Sequence, residues 1–191
     1  ELLSAIPNDY KKVVGGELYV DKMKRIRRKE IERFSSSFIP DTPTINLVVG
    51  DFLSGKKTFV KALLEKHFTN PLVFESNLAN KSLASCFKDT LQLATNNQPL
   101  NEYIKEHKIE VLVFHHIERW LYSDEVMQAI DEIVRENDSL HIIYTCSTIA
   151  YENKLKYYSM YNGIVQVIKL QQLPSDVFYN EVQQRFISSG Y

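Results

Sequence analysis

The sequence predicts an α/β fold, a three-layer sandwich with a mostly parallel central sheet. Three observations carry that expectation. Short apolar runs alternate with longer segments of helical period. Val111–Phe114 is apolar at consecutive positions and bounded by charge, as strands covered on both faces are. A glycine-containing loop of phosphate-binding pattern separates one apolar run from the next helical segment. The 191 residues suffice for one domain with a substantial core. With 44% hydrophobic and 25% charged residues, the composition excludes a disordered chain, a collagen-like repeat and a coiled-coil rod.

The elements follow in chain order. Residues 1–20 read as irregular, with Pro7 and Gly15-Gly16 as breakers. A helix is expected at about 21–37, where Met23, Ile26 or Arg27, Glu30 or Ile31, and Phe34 fall at helical spacing. Phe38 to Thr44 reads as a loop and Ile45–Val49 as a strand. A helix from Thr58 to His67 follows, then a strand at Pro71–Ser76 and helices at about 81–94 and 99–107. After the Val111–Phe114 strand, Ser123 can cap a helix to Glu136 with Val126, Ile130, Ile133 and Val134 as its apolar face. Ile142–Cys146 and Ile164–Leu170 read as strands, and a helix begins at Ser175. Strands alternating with helices imply βαβ units. Trp120 and the Tyr-rich stretch Tyr144–Tyr161 read as core and surface packing rather than a base-stacking platform. There is no internal repeat.

Charge is nearly balanced, with 23 basic and 24 acidic residues giving −1. That argues against a uniformly basic nucleic-acid binder. The distribution is uneven. Between Lys22 and Arg33 lie Lys22, Lys24, Arg25, Arg27, Arg28, Lys29 and Arg33, opposed there only by Glu30 and Glu32. This is either a solvated helix face or a contact to phosphate or an acidic protein surface. No apolar run reaches the roughly 18 residues of a membrane span, so no membrane partner is expected. Glu1 to Pro7 lack the basic start and apolar core of a secretory leader. Cys86 and Cys146, without a CxxC, favour a reducing compartment over a disulfide framework or a zinc knuckle.

Gly50-Asp-Phe-Leu-Ser-Gly55-Lys56-Lys57 fits GxxxxGK between a predicted strand and a predicted helix, the context a phosphate loop requires. Such a loop needs glycines so that backbone N–H groups can wrap phosphate. It also needs a helix N-terminus and a lysine for the outer phosphates. The next residue should carry a hydroxyl for Mg²⁺, and here it is Lys57. Thr58 comes one step late, and one helical step turns a side chain by about 100°. Asp51 and Phe52 add negative charge and bulk to a loop that should receive an anion.

An NTPase also needs carboxylates at the end of a second strand, to hold Mg²⁺ and to orient water. Val111–Phe114 is followed instead by His115-His116, with Glu118 the nearest carboxylate at a displaced position. Neutral imidazole is a poor ligand for a hard cation. Neighbouring strand residues point to opposite faces, so the two histidines are not expected to share a metal ion. Cys146 has no identifiable base beside it and reads as a small buried apolar residue rather than a nucleophile.

In this order the motifs resemble the AAA+ ATPases of the initiator clade, above all the largest subunit of the origin recognition complex. The resemblance runs over nearly the whole chain. Ile45–Leu64 looks like the Walker A strand, loop and helix, with Leu53 where the family has Gly and Lys57 where it has Thr. Val111–Trp120 looks like the Walker B strand, with His115 and His116 in place of Asp and Glu. Leu140–Thr148 looks like the sensor-1 strand, with Ser147 in place of Asn, and Gly163–Phe186 like the strand and helix that lead into the lid.

The resemblance implies a P-loop NTPase fold, the AAA+ base subdomain, over residues 45–191, after an N-terminal extension, 1–44, that carries the basic helix. No segment like the family's helical lid follows Gly163–Phe186. A framework kept while Lys57, His115, His116 and Ser147 depart from the pattern is what the silencing branch of this clade in budding yeasts would look like. That branch implies a nuclear, non-catalytic module that binds nucleosomes, histones and partner silencing proteins, with DNA binding possible. The expected degenerate nucleotide pocket is Gly50, Gly55, Lys56, Lys57, His115, His116 and Ser147, with no catalytic residue, no metal and no cofactor. Two alternatives stand beside it. Lys56 and the glycines could hold ATP or ADP without Mg²⁺ in an active ATPase, or the chain could be a DNA-binding module of replication.

Overall fold

The computed structural model describes residues 28–51, 54–75, 81–157 and 164–172, together with Ser175, Tyr179, Asn180 and Gln183. Five strands form one sheet: β1 (Ile45–Gly50), β2 (Pro71–Phe74), β3 (Val111–Phe114), β4 (His141–Cys146) and β5 (Ile164–Leu170). Their order is β2-β3-β4-β1-β5, and all four pairings are parallel. The helices are α1 (Arg28–Ser37), α2 (Lys56–His67), α3 (Leu83–Ala94), α4 (Leu100–Glu106), α5 (Asp124–Glu136) and α6 (Thr148–Asn153).

Alternation along the strands divides the core into two layers. Leu47, Val49, Leu112, Phe114, Ile142 and Tyr144 face α3, α4 and α5, where Phe87, Ile104, Val126 and Ile130 are buried. Val48, Val111, Val113, Ile143 and Ile168 face α1 and α2, where Ile31, Phe34, Phe59, Val60 and Leu63 are buried. This is the expected three-layer sandwich. β3 and β4 are buried at every position, so their sequences could not alternate. Trp120 lies in the first layer, edge-to-face with Phe87 at 5.4 Å, as a packing residue.

Most elements match the sequence expectation to within two residues. Ser82 caps α3 and Ser123 caps α5, accepting from the N–H groups of Ser85 and Val126. The helix expected at 21–37 is described only from Arg28, and its earlier part lies outside the described residues. Of the helix expected after Ser175, the described positions Ser175, Tyr179, Asn180 and Gln183 are helical. The helix expected from Thr58 begins two residues earlier. Gly55, at the N-cap, takes the left-handed conformation (φ 81°), and the Phe59 N–H donates to its carbonyl at 2.8 Å. α6 lies in the stretch that the sequence marks only as Tyr-rich, with no separate element expected there. The predicted loop from Phe38 to Thr44 is pinned by buried His141, whose Nδ1 accepts from the Thr44 N–H at 3.2 Å. Its other ring nitrogen therefore carries the proton and donates to the Pro40 carbonyl at 2.8 Å. No helix among the described residues is long and apolar enough to cross a membrane.

Where β1 leaves the sheet, space is minimal. A Cβ on Gly50 would stand 2.5 Å from the Ser54 Oγ and 3.2 Å from the Leu170 carbonyl oxygen of neighbouring β5. Gly50→Ala should therefore destabilise the fold by about 1–3 kcal/mol in denaturant unfolding. Adding Ser54→Ala should restore part of that loss, because it removes the closer contact. An unchanged midpoint for Gly50→Ala would contradict this packing.

Candidate functional site

Parallel strands place their C-terminal ends together, and the candidate residues gather at that edge of the sheet. Gly50 ends β1, and Gly55 starts α2. Lys56, the first residue of the helix, is buried. Its Nζ donates to the carbonyls of Gly50 at 2.6 Å and Asp51 at 2.8 Å. Burial lowers the pKa of this ammonium, and the charge of Glu118 opposes the shift. The lysine that should meet phosphate is thus held by the main chain of its own loop. Moving it onto a ligand would break two hydrogen bonds to a charged group, each worth about 1.5–3 kcal/mol.

Lys57, at the hydroxyl position, is exposed and points to the end of β2. There its Nζ lies 3.2 Å from the Glu75 Oε2. Glu75 thereby brings a carboxylate beside the loop, already paired with a cation of the protein. His115 follows β3 and is buried; its N–H donates to the Phe74 carbonyl, and its Nδ1 is 3.3 Å from the Thr145 Oγ1. Burial, reinforced by the positive charge of Lys57, drives its pKa down to about 4, so the ring is neutral at pH 7. His116 takes the left-handed conformation (φ 56°), and its N–H donates to the same Thr145 Oγ1 at 2.9 Å. Its Nδ1 is 3.6 Å from the Glu118 Oε1.

The two histidines turn to different neighbours, His115 to the Lys57–Glu75 side and His116 to Glu118. No group of three or more potential metal-ligating side chains converges among the described residues. At the positions where a hard divalent cation would take a hydroxyl and carboxylates stand an ammonium and two imidazoles, with Glu75 paired to Lys57 and Glu118 close to His116.

Ser147, at the sensor-1 position, is the N-cap of α6, where its hydroxyl accepts from the Ala150 N–H at 3.2 Å. Cys146 is buried at the end of β4, and burial, with the nearby charge of Glu118, pushes its thiol up to about 12, unsuited to attack. Glu118, read from sequence as displaced, does come within electrostatic reach of Lys56 and Cys146. Its Oε2 is buried and makes no hydrogen bond among the described residues. Of the basic cluster, Lys22, Lys24, Arg25 and Arg27 lie outside the described residues. Arg28 opens α1, and Lys29 is exposed.

Sequence reasoning missed Thr145 and Glu75. Thr145 had a signal, a polar residue inside a buried apolar run. It lies one residue beyond the Phe114–Tyr144 pair, level with the turn that holds the histidines. Glu75 had none, since its role depends on β2 lying beside β3.

No family model matches the sequence, and no curated protein sequence matches it. The fold is similar to solved structures of replication proteins. The Orc1 protein of Aeropyrum pernix, in complex with DNA, matches with TM-score 0.58 and 9% identity over 85% of this chain and 49% of that one. Cdc6p from Pyrobaculum aerophilum matches with TM-score 0.54 and 12% identity over 97% of this chain and 53% of that one. A DNA replication initiation factor matches with TM-score 0.56 and 12% identity over 86% and 51%. The chain spans about half the length of each. It has the AAA+ P-loop NTPase fold seen in initiator proteins of the Orc1/Cdc6 type.

The neutral His115 makes stability pH-dependent. Its folded pKa, about 4, lies below the ordinary 6.5, so the unfolded chain takes up the proton first. The stabilisation is full above pH 6.5 and is lost as pH falls toward 4, by about 3 kcal/mol in total. His115→Gln should flatten that part of the stability profile in urea unfolding across this range. A profile that is no flatter in the variant would contradict the buried neutral ring.

Proposed function

We propose that this chain is a non-catalytic interaction module on the AAA+ base-subdomain fold. The observation that carries the reading is the Lys56 ammonium hydrogen-bonded to the Gly50 and Asp51 carbonyls. Beside it, a lysine and two histidines occupy the metal-binding positions. The loop then serves as the joint between β1 and α2, and function moves to the surface. Neither ATP nor ADP acts as a cofactor in this reading.

The place of action is a nuclear one, in transcriptional silencing and heterochromatin, with nucleosomes, histones and partner silencing proteins as the binding partners. This rests on the resemblance to the silencing branch of the initiator clade, in which the framework is kept and the ATPase residues are replaced. The structural likeness to initiator proteins supports the clade side of that argument. A second reading, a DNA-binding module of replication, draws on one observation: the Aeropyrum pernix Orc1 structure is a complex with DNA. The segment from Lys22 to Lys29 would be the contact. The two readings differ in salt dependence, because each phosphate contact steepens the fall of duplex affinity with salt.

The test is calorimetric titration of ATP and ADP, with and without Mg²⁺, alongside thermal melting. A ligand at 100 times its Kd would add about 2.7 kcal/mol of stability. The expected result is no heat and no melting shift at millimolar nucleotide. Micromolar binding that strengthens with Mg²⁺ would overturn the reading and favour an ATPase.

A further inference from the structure

A cavity of about 380 Å³ opens beside the last turn of α1, at the end of the sheet where β1 and β5 begin. Pockets of this size hold small organic molecules. The cavity is remote from the phosphate loop. Asn46, which lines it, is the second residue of β1 and Gly50 the last, and four strand residues span about 13 Å.

The lining is rich in hydrogen-bond donors. Asn46 and Gln166 are register partners on neighbouring parallel strands, so their amides share one face of the sheet. Asn46 is only 3% exposed, a polar side chain inside an otherwise apolar strand. Its Nδ2 makes one hydrogen bond, to the Thr44 Oγ1 at 3.0 Å, and the second proton of that group has no acceptor among the described residues. The Ser37 Oγ donates to the Gln166 Oε1 at 2.9 Å, which leaves the Gln166 Nε2 without an acceptor among the described residues. An amide buried with bonds unmade is costly, and a bound acceptor would remove that cost.

Arg33 supplies charge. It lines the cavity, is exposed, and pairs with no carboxylate among the described residues. None of the described residues lining the cavity is acidic; Glu30 and Glu32 of the same helix are not part of the lining. Phe34 and Phe38, stacked with centroids 5.4 Å apart, add an apolar wall. One guanidinium and spare amide protons, with no opposing carboxylate, call for an anion. The apolar wall calls for carbon attached to it.

We propose that this cavity binds a small organic anion, a carboxylate or a phosphate ester. Its charge meets Arg33, its oxygens accept from Asn46 and Gln166, and its carbon body lies against Phe34 and Phe38. The site uses no residue of the phosphate loop and does not depend on the interaction-module reading.

The test is nitrogen-15 NMR of the purified chain, following the assigned side-chain amide signals of Asn46 and Gln166. The probes are phenyl phosphate, benzoate, neutral benzamide and cationic benzylamine. The anions should move both signals in a saturable way, and benzamide and benzylamine should not. Phenyl phosphate acting alone would assign the site to phosphate esters, and benzoate acting alone to carboxylates. Arg33 is exposed and unpaired, so Arg33→Gln should leave the fold intact and weaken the anions about tenfold. Gln166→Glu, which adds a carboxylate to the lining, should abolish binding. Lys61→Gln, the same change of charge on an exposed part of α2, should have no effect. The proposal is overturned if neither anion moves the two signals, if the uncharged or cationic probe moves them equally, or if Arg33→Gln binds as the parent does. Shifts confined to Gly55 and Lys56 would also overturn it and place the anion on the phosphate loop.

Discussion

Strands that run the same way can be joined only by segments that carry the chain back along the sheet. Each strand then ends at the same edge, and the chain turns into its next segment there. In this protein that constraint brings together pieces far apart in sequence: Gly50-Asp51 with Ser54 to Lys57, Glu75, His115 to Glu118 and Cys146-Ser147. The sheet can do this because its central strands are covered on both faces, so their main-chain groups are satisfied only by one another. The pocket is therefore a consequence of topology.

The chemistry depends on how the buried charges are satisfied. A lysine at the start of α2 loses hydration on burial and needs acceptors. A bound phosphate would provide them; here the Gly50 and Asp51 carbonyls do. Likewise Lys57, where a hydroxyl would hold a metal ion, is balanced by Glu75, and His115 is kept uncharged by burial. Each substitution comes with a local partner that makes it tolerable. The set is internally consistent, each buried or charged group being met by a neighbour.

Much of this was legible in the sequence, and the exceptions have physical causes. The runs Val111–Phe114 and Ile142–Cys146 announced buried strands because no polar residue on a regular alternation interrupts them. The GxxxxGK spacing announced the loop because only that joint needs glycine at both ends: Gly50 for space beside Ser54 and Leu170, Gly55 for its positive φ. Pairings across the sheet were not legible. Nothing local to Glu75 indicates that it faces Lys57, and nothing local to Tyr122 indicates that Lys154 covers its ring. Ser147 could be placed in the sensor-1 strand but not given a role, because capping depends on α6 starting there. The basic segment from Lys22 to Lys29 was evident as composition, and composition does not say what it contacts.

At the start of α2 the Lys56 ammonium is held by the Gly50 and Asp51 carbonyls. The measurement that reaches it most directly is nitrogen-15 NMR of the Lys56 ammonium, assigned with Lys56→Arg. The expected result is a protected ammonium signal, visible because its protons are hydrogen-bonded and shielded from water, that does not move when ATP and Mg²⁺ are added. A signal that is absent in the free protein, or that shifts on adding nucleotide, would mean that Lys56 is available to phosphate, and would contradict the account.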